Sequence, residues 1–389
     1  MHTTAIRSLC VALWMVGLLS ACAAPAATTP TTLPATAIPS TATPPAALLP
    51  APLYMIDTVT AQVVRVEPDA AQVTRMSAEA EPVLELAVAA AADRIFYLIG
   101  DPAGRERTLV LLAGGERREL LRGQISDLAA APDGRQVVFH FDNVEPGLIA
   151  GPSESPKGIW SIAADGGEPT LVQADDLADS SSATQAAWGY VPIGWSPDGA
   201  TLALFAYDQQ ISGIPGGELV LLRANEQPVR GPTCCERPVW SADSSALYAA
   251  GGGPGPDLRY GLYRSDATSG TERELIAQGS SEQIPLVLAP YQATDGRIYA
   301  LVELAPAQGF SWDYPFRPVL VSLAADGSLT TLSDPLGATP VEALWAIDGS
   351  GVVIATVGVD GTEQLVWQTT AQAPARRLPV TGRALAWAP

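Results

Sequence analysis

Residues Gly194-Trp195-Ser196-Pro197-Asp198-Gly199-Ala200-Thr201-Leu202-Ala203-Leu204-Phe205 set two short apolar runs either side of a Pro-Asp-Gly turn. Proline presets φ at the first turn position and glycine accepts a positive φ, so the stretch predicts a β-hairpin. The pattern recurs. Leu128 to Phe139 carries Pro132-Asp133-Gly134, and Val239 to Tyr248 carries Ala242-Asp243-Ser244. Weaker copies run from Leu86 to Leu98, from Leu288 to Val302 and from Leu344 to Ala355, and the chain ends on a truncated copy, Ala384 to Pro389. A second hairpin follows each complete copy, as in Gly158 to Gly167 and Val319 to Gly327.

A unit therefore holds four antiparallel strands, about 48 residues long, which is a propeller period. The expected fold class is all-β, a β-propeller of four-stranded antiparallel blades. First strands begin near residues 86, 128, 195, 240, 288, 344 and 385, which predicts seven blades. Six is the alternative, if the chain ends merely lie against a neighbour. The last first strand has nothing downstream, whereas a lone hairpin, Leu53 to Val66, precedes the first copy. Joined, they predict a blade closed by both chain ends, which removes an exposed sheet edge. Trp195, Trp240, Trp345 and Trp387 recur at one repeat position and read as packing between blades. Trp160 and Trp367 read the same way.

The Trp-Ser-Pro-Asp-Gly strand pair, followed by hairpins such as Ala164-Asp165-Gly166-Gly167, resembles the repeat of the TolB-like (PD40, WD40-like) β-propeller family. The resemblance covers essentially the whole body and implies a protein-interaction platform.

The N-terminus reads as an export signal. Arg7 is followed by an apolar run from Leu9 to Leu19, too short for a membrane span. Leu19-Ser20-Ala21-Cys22 resembles the lipobox of bacterial lipoproteins. That resemblance implies a signal peptide over residues 1–21 and acylation, with palmitate among the chains, at Cys22. Residues 22–52 hold Ala, Thr and Pro with no charge and read as a disordered tether, leaving 53–389 as the propeller. The expected location is extracytoplasmic, anchored by lipid alone to the cell membrane or the outer membrane.

The 389 residues carry 22 Lys and Arg against 41 Asp and Glu, a net charge of −19. This excludes nucleic acid as a partner and adsorption to anionic lipid, both of which need clustered cations. Catalysis has little to stand on. Without the signal, His140 is the lone histidine, Lys157 is the lone lysine, and no Gly-x-Ser-x-Gly elbow is present. No catalytic residue, metal ligand or cofactor is assigned.

Insertions fall between second and third strands (142–157, 208–217, 251–260, 304–317) and between fourth and next first strands (174–190, 230–237, 277–286). All lie on one face, where binding residues concentrate on a rigid scaffold. The candidate binding face comprises Phe310, Trp312, Asp313, Tyr314, Phe316 and Arg317 in one loop, with Trp188 and Tyr190 in another. Aromatics with Arg suit a protein or sugar contact. Folding back over the channel is the other reading. Asp175, Asp176 and Asp179 lack regular calcium-ligand spacing and read as a solvated acidic loop. Cys234 and Cys235 are the two thiols left by the signal and the lipid, and form a candidate vicinal disulfide. Free or intermolecular thiols are the alternative, because adjacent α-carbons lie ~3.8 Å apart, shorter than the usual disulfide span.

The expected function is a membrane-anchored binding platform, monomeric, whose partner is another envelope protein or a polysaccharide. The alternative is a carbohydrate-active propeller enzyme, a glycosidase or lyase, with carboxylates at the channel mouth.

Overall fold

A computed structural model describes residues 47–142, 156–176, 188–208, 217–233, 238–251, 260–277, 279–308, 314–324 and 326–388. The signal segment, Cys22 and nearly all of the tether lie outside the described residues, as does much of each long insertion. Among the described residues, no helix is long and apolar enough to cross a membrane.

The structure is an all-β propeller of small antiparallel blades. β1 (Leu53–Asp57), β2 (Val63–Val66) and β3 (Val73–Arg75) form a meander. Next comes one seven-stranded sheet: β4 (Val83–Ala89), β5 (Arg94–Ile99), β6 (Arg107–Ala113), β7 (Glu116–Ala130), β8 (Gln136–Asp142), β9 (Gly158–Ala163) and β10 (Thr170–Ala174). Four sheets of four strands follow. They are β11 (Trp188–Trp195) to β12 (Thr201–Asp208), β13 (Gly217–Arg223) and β14 (Val229–Thr233); and β15 (Val239–Trp240) to β16 (Ala246–Gly251), β17 (Gly261–Asp266) and β18 (Glu272–Ile276). The last two are β19 (Gln283–Gln292) to β20 (Ile298–Pro306), β21 (Val319–Leu323) and β22 (Leu329–Thr331); and β23 (Thr339–Trp345) to β24 (Gly351–Val357), β25 (Glu363–Thr369) and β26 (Arg376–Arg377). Finally β27 (Gly382–Trp387) pairs antiparallel with β1, so both ends of the chain share a sheet.

Two expectations are corrected. The repeat predicted seven separate four-stranded sheets, or six; five form, beside the seven-stranded one. The reason is β7. It pairs with β6 through Glu116–Gly123 and with β8 through Gln124–Ala130, without a connecting loop. The tether boundary at residue 52 also falls too late. The Leu48 and Leu49 amides both donate to the Pro68 carbonyl, at 2.7 and 2.8 Å, and Leu49 is 2 % exposed. Its burial stabilises by roughly 2 kcal/mol, so Leu48 and Leu49 belong to the folded body.

The Asp of each repeat turn works as the sequence implies. Asp198 Oδ1 accepts the Ala200 amide at 3.0 Å and the Ser196 hydroxyl at 2.5 Å, while Gly199 adopts φ +72°. These bonds hold the Asp198 carboxyl below its usual pKa, the Ser196 hydroxyl contributing most. Gly134 does the same at φ +66°, and a Cβ there would meet the Ala92 methyl at 2.5 Å.

First strands form the inner ring. Each packs on the next from β4 round to β27 and back to β4, except where the two-residue β15 meets β11. Bulges in these strands turn backbone amides out of the ladder, with left-handed φ at Asp127, Ala289 and Ala384. The freed amides are handled in two ways. Glu342 on β23 accepts the Ala384 and Leu385 amides at 2.8 and 2.7 Å, and Glu85 on β4 accepts the Leu128 amide at 3.3 Å. At the bulges of β11 and β19, Pro192 and Pro290 remove an amide altogether.

The recurrent tryptophans latch the same strands. The Nε1 of Trp240, Trp345 and Trp387 donates to the carbonyls of Gly194, Ala289 and Trp345 respectively, at 3.2, 2.7 and 2.6 Å. Trp195 Nε1 is buried without an acceptor.

Two measurements check this account. Glu342→Ala should lower stability in chemical denaturation by about 2–4 kcal/mol, because it strands two amides bonded to a carboxylate; a loss under ~0.5 kcal/mol would show that water replaces the carboxylate. Trp345→Phe should cost about 1 kcal/mol more than Trp195→Phe, since only the first loses a hydrogen bond. Equal losses would refute the latch.

Candidate functional site

The connections on the loop-rich face start from β8 and β10. Along β8, Phe139 and Phe141 face the core shared with Trp160, so His140 points the other way. It lands beside the end of β10, with Nε2 3.4 Å from Asp175 Oδ2. Asp175, 1 % exposed at its side chain, also accepts the Tyr190 amide at 3.2 Å. The Asp176 and Trp188 backbones exchange two 2.9 Å hydrogen bonds. The acidic stretch is thus a strap from β10 to β11 at its described ends. Asp179 lies outside the described residues.

Burial acts to lower the His140 pKa. The Asp175 hydrogen bond and the charges of Asp175, Asp142 and Asp127 outweigh it and hold the imidazole above its ordinary value. Burial, with the same three carboxylates, pushes the Tyr207 phenol up. Lys157 answers part of this charge, with Nζ 3.2 Å from Asp142.

The proposed face residues divide. Tyr190 is 2 % exposed and packs with Leu202 and Leu204; its hydroxyl accepts from Arg230 at 3.3 Å. It belongs to a core between sheets rather than to a contact surface. Trp188 is half-buried against that core. Tyr314 and Phe316 fold back onto Ile284, Leu286 and Ala305. The Tyr314 hydroxyl donates to Glu303 Oε1 at 2.8 Å, and the Arg317 amide donates to the other oxygen. Arg317 itself is exposed. Phe310, Trp312, Asp313, Cys234 and Cys235 lie outside the described residues.

Sequence reasoning missed the middle of the ring. The first strands β11, β15, β19 and β23 line a cavity of about 760 Å³, in the range of small-molecule sites. Val191, Ile193, Leu288, Val341 and Leu344 give it aliphatic walls. Phe205 and Ala250, from second strands, join the wall near β15. Tyr291 and Tyr299 are cross-strand partners, and both rings stack on the Trp345 indole with centroids 5.5 Å away. The Tyr291 hydroxyl donates to the Ile347 carbonyl at 2.7 Å; burial first, then Asp348, pushes its pKa up to about 12. The one signal available was Thr339-Pro340-Val341-Glu342, an apolar side chain at an inner-strand position where Val341 proves 61 % exposed.

No protein-family model and no curated protein matches the chain. Solved structures do. The Pseudomonas aeruginosa periplasmic gluconolactonase aligns over 87% of this chain and 99% of its own, at 16% identity and TM-score 0.51. An oligogalacturonate lyase in complex with manganese aligns over 84% and 83%, at 11% identity and TM-score 0.56. TolB from Acinetobacter baumannii aligns over 87% and 66%, at 16% identity and TM-score 0.48. In architecture the chain is a β-propeller. At these identities the likeness is one of fold. The chain spans about two thirds of that TolB and about half the length of the prolyl oligopeptidases it also matches.

The His140–Asp175 pair carries a pH signature. The folded-state pKa is raised, so the stabilisation is fully present below the unfolded value, ~6.5, and fades as pH rises through the folded one. The Tm gap between wild type and His140→Gln should shrink between pH 5.5 and pH 8.5. A gap that stays constant would show the pair does not titrate with folding.

Proposed function

We propose that this chain is a lipid-anchored, extracytoplasmic propeller that binds a ligand or partner through its loop-rich face and central cavity. The observation that carries this reading is a largely apolar cavity lined by four first strands, in which Glu342, Tyr291 and Trp345 are each already hydrogen-bonded. Such a wall suits binding better than acid–base chemistry, which needs a titratable group free to reach substrate. The carbohydrate-active alternative needs two carboxylates facing one bond. The cavity wall supplies Glu342, committed to the Ala384 and Leu385 amides.

The same reading counts β7 twice, as last strand of one blade and first of the next, which makes a monomeric ring of seven. The apolar clusters support it: each draws on two neighbouring four-strand units, including one between the two halves of the seven-stranded sheet. The lipobox resemblance at Leu19–Cys22 supports the anchor, with the uncharged tether holding the body off the membrane.

Two experiments test this. Radiolabelled palmitate should be incorporated into the chain in cells and be lost in Cys22→Ala, which should appear unanchored. Residues 47–389, which hold every described strand, should be probed against envelope proteins and a polysaccharide array. Trp312→Ala with Arg317→Ala should cut capture at least tenfold. Full capture by that double variant would remove the aromatic loop from the binding face.

A further inference from the structure

The central cavity is selective by what its wall lacks. Among the described residues lining it, Glu342 alone carries a charge, and both its oxygens already accept backbone amides. The two other polar side chains among the described lining residues are spent in the same way. The Tyr291 hydroxyl is bonded to the Ile347 carbonyl, and the Trp345 indole N–H to the Ala289 carbonyl. Pro192 and Pro290, also in the wall, bring no amide N–H to it. What remains among the described side chains is carbon: Val191, Ile193, Leu288, Val341, Leu344 and the Tyr291 ring.

We propose that the cavity is a binding site for an uncharged, predominantly apolar small molecule. This rests on the binding reading above and names the ligand class of that site. A charged group entering the cavity would lose water, an anion with no cation among the described lining residues and a cation with only the amide-bonded Glu342 carboxylate to meet, which is costly. An anion would in addition meet the Glu342 carboxylate. An apolar body instead replaces water against the aliphatic wall, and covers Val341, which is 61 % exposed. The volume, about 760 Å³, admits a drug-sized molecule. Few hydrogen-bond groups are free to orient it, so recognition rests on shape and on the aromatic surface of Tyr291.

The test is a fluorescence titration of residues 47–389 with N-phenyl-1-naphthylamine, a neutral apolar probe. Decanoate and decyltrimethylammonium serve as charged competitors and decanol as the neutral one. Saturable binding at about one probe per chain is expected, displaced by decanol at concentrations at least tenfold below those of either ion. Val341→Asp, at an exposed position that need not disturb folding, should weaken the probe at least tenfold. Val359→Asp, on an exposed turn away from the cavity, should leave it unchanged. No saturable binding by folded protein, equal displacement by an ion, or an unaltered affinity in Val341→Asp would each overturn the proposal. Partner or glycan capture measured on the same preparation separates the two readings. If capture persists while the probe fails, the platform stands and the apolar site falls; if the probe binds and capture fails, the reverse holds.

Discussion

Every blade of this protein depends on its neighbours for a core. Side chains alternate along a strand, so one sheet buries two faces. In β1, Leu53 and Met55 pack with Val353, Leu365 and Trp367 of one neighbour, while Tyr54 and Ile56 pack with Val83 and Ile95 of the other. No sheet can satisfy both faces alone. The ring therefore has to close, and the β27–β1 pairing is where it does. That constraint explains why the central strands read as near-continuous apolar runs rather than alternating ones. It also explains the cost accepted at the inner strands, where close packing round a small axis forces bulges.

The bulges lead from fold to site. A bulge frees amides toward the axis, and an open axis of unsatisfied amides would be a polar channel. Glu85 and Glu342 reach across to the next inner strand and cap these groups, and prolines remove others. Two inner-strand carboxylates are thereby spent on the ring. The chemistry left at the centre is apolar because the mechanical problem was solved with its polar residues.

The parts legible in the sequence were those set by local rules. Pro-Asp-Gly with its flanking apolar runs specifies a hairpin from neighbouring residues alone, and the recurring Trp marks one inner-strand position. The rest depends on distance. That Glu342 meets residues 42 and 43 positions away follows only once two inner strands are adjacent. Leu49 was read as tether because Ala/Thr/Pro composition surrounds it, yet the core it joins draws more than half its residues from the other end of the chain. The continuity of β7 was hidden because a repeat pattern marks where a first strand begins, not whether a loop precedes it. Tyr190 illustrates the same limit, since an aromatic at a loop-to-strand boundary looks alike whether it faces a partner or a neighbouring blade.

The His140–Asp175 contact ties these threads to the face above. It joins the second strand of one unit, the end of its fourth and the first strand of the next, through Asp175 and the Tyr190 amide. Three elements that enter the loop-rich face are thus fixed by one buried carboxylate. A partner engaging the neighbouring loops would bind elements already held in register, so little ordering entropy would be spent there. The acidic residues beside it, Asp142 and Asp127, give that corner of the face a negative field, only partly answered by Lys157. The inner cavity and this rim therefore differ in kind: one excludes charge, and the other is built from it.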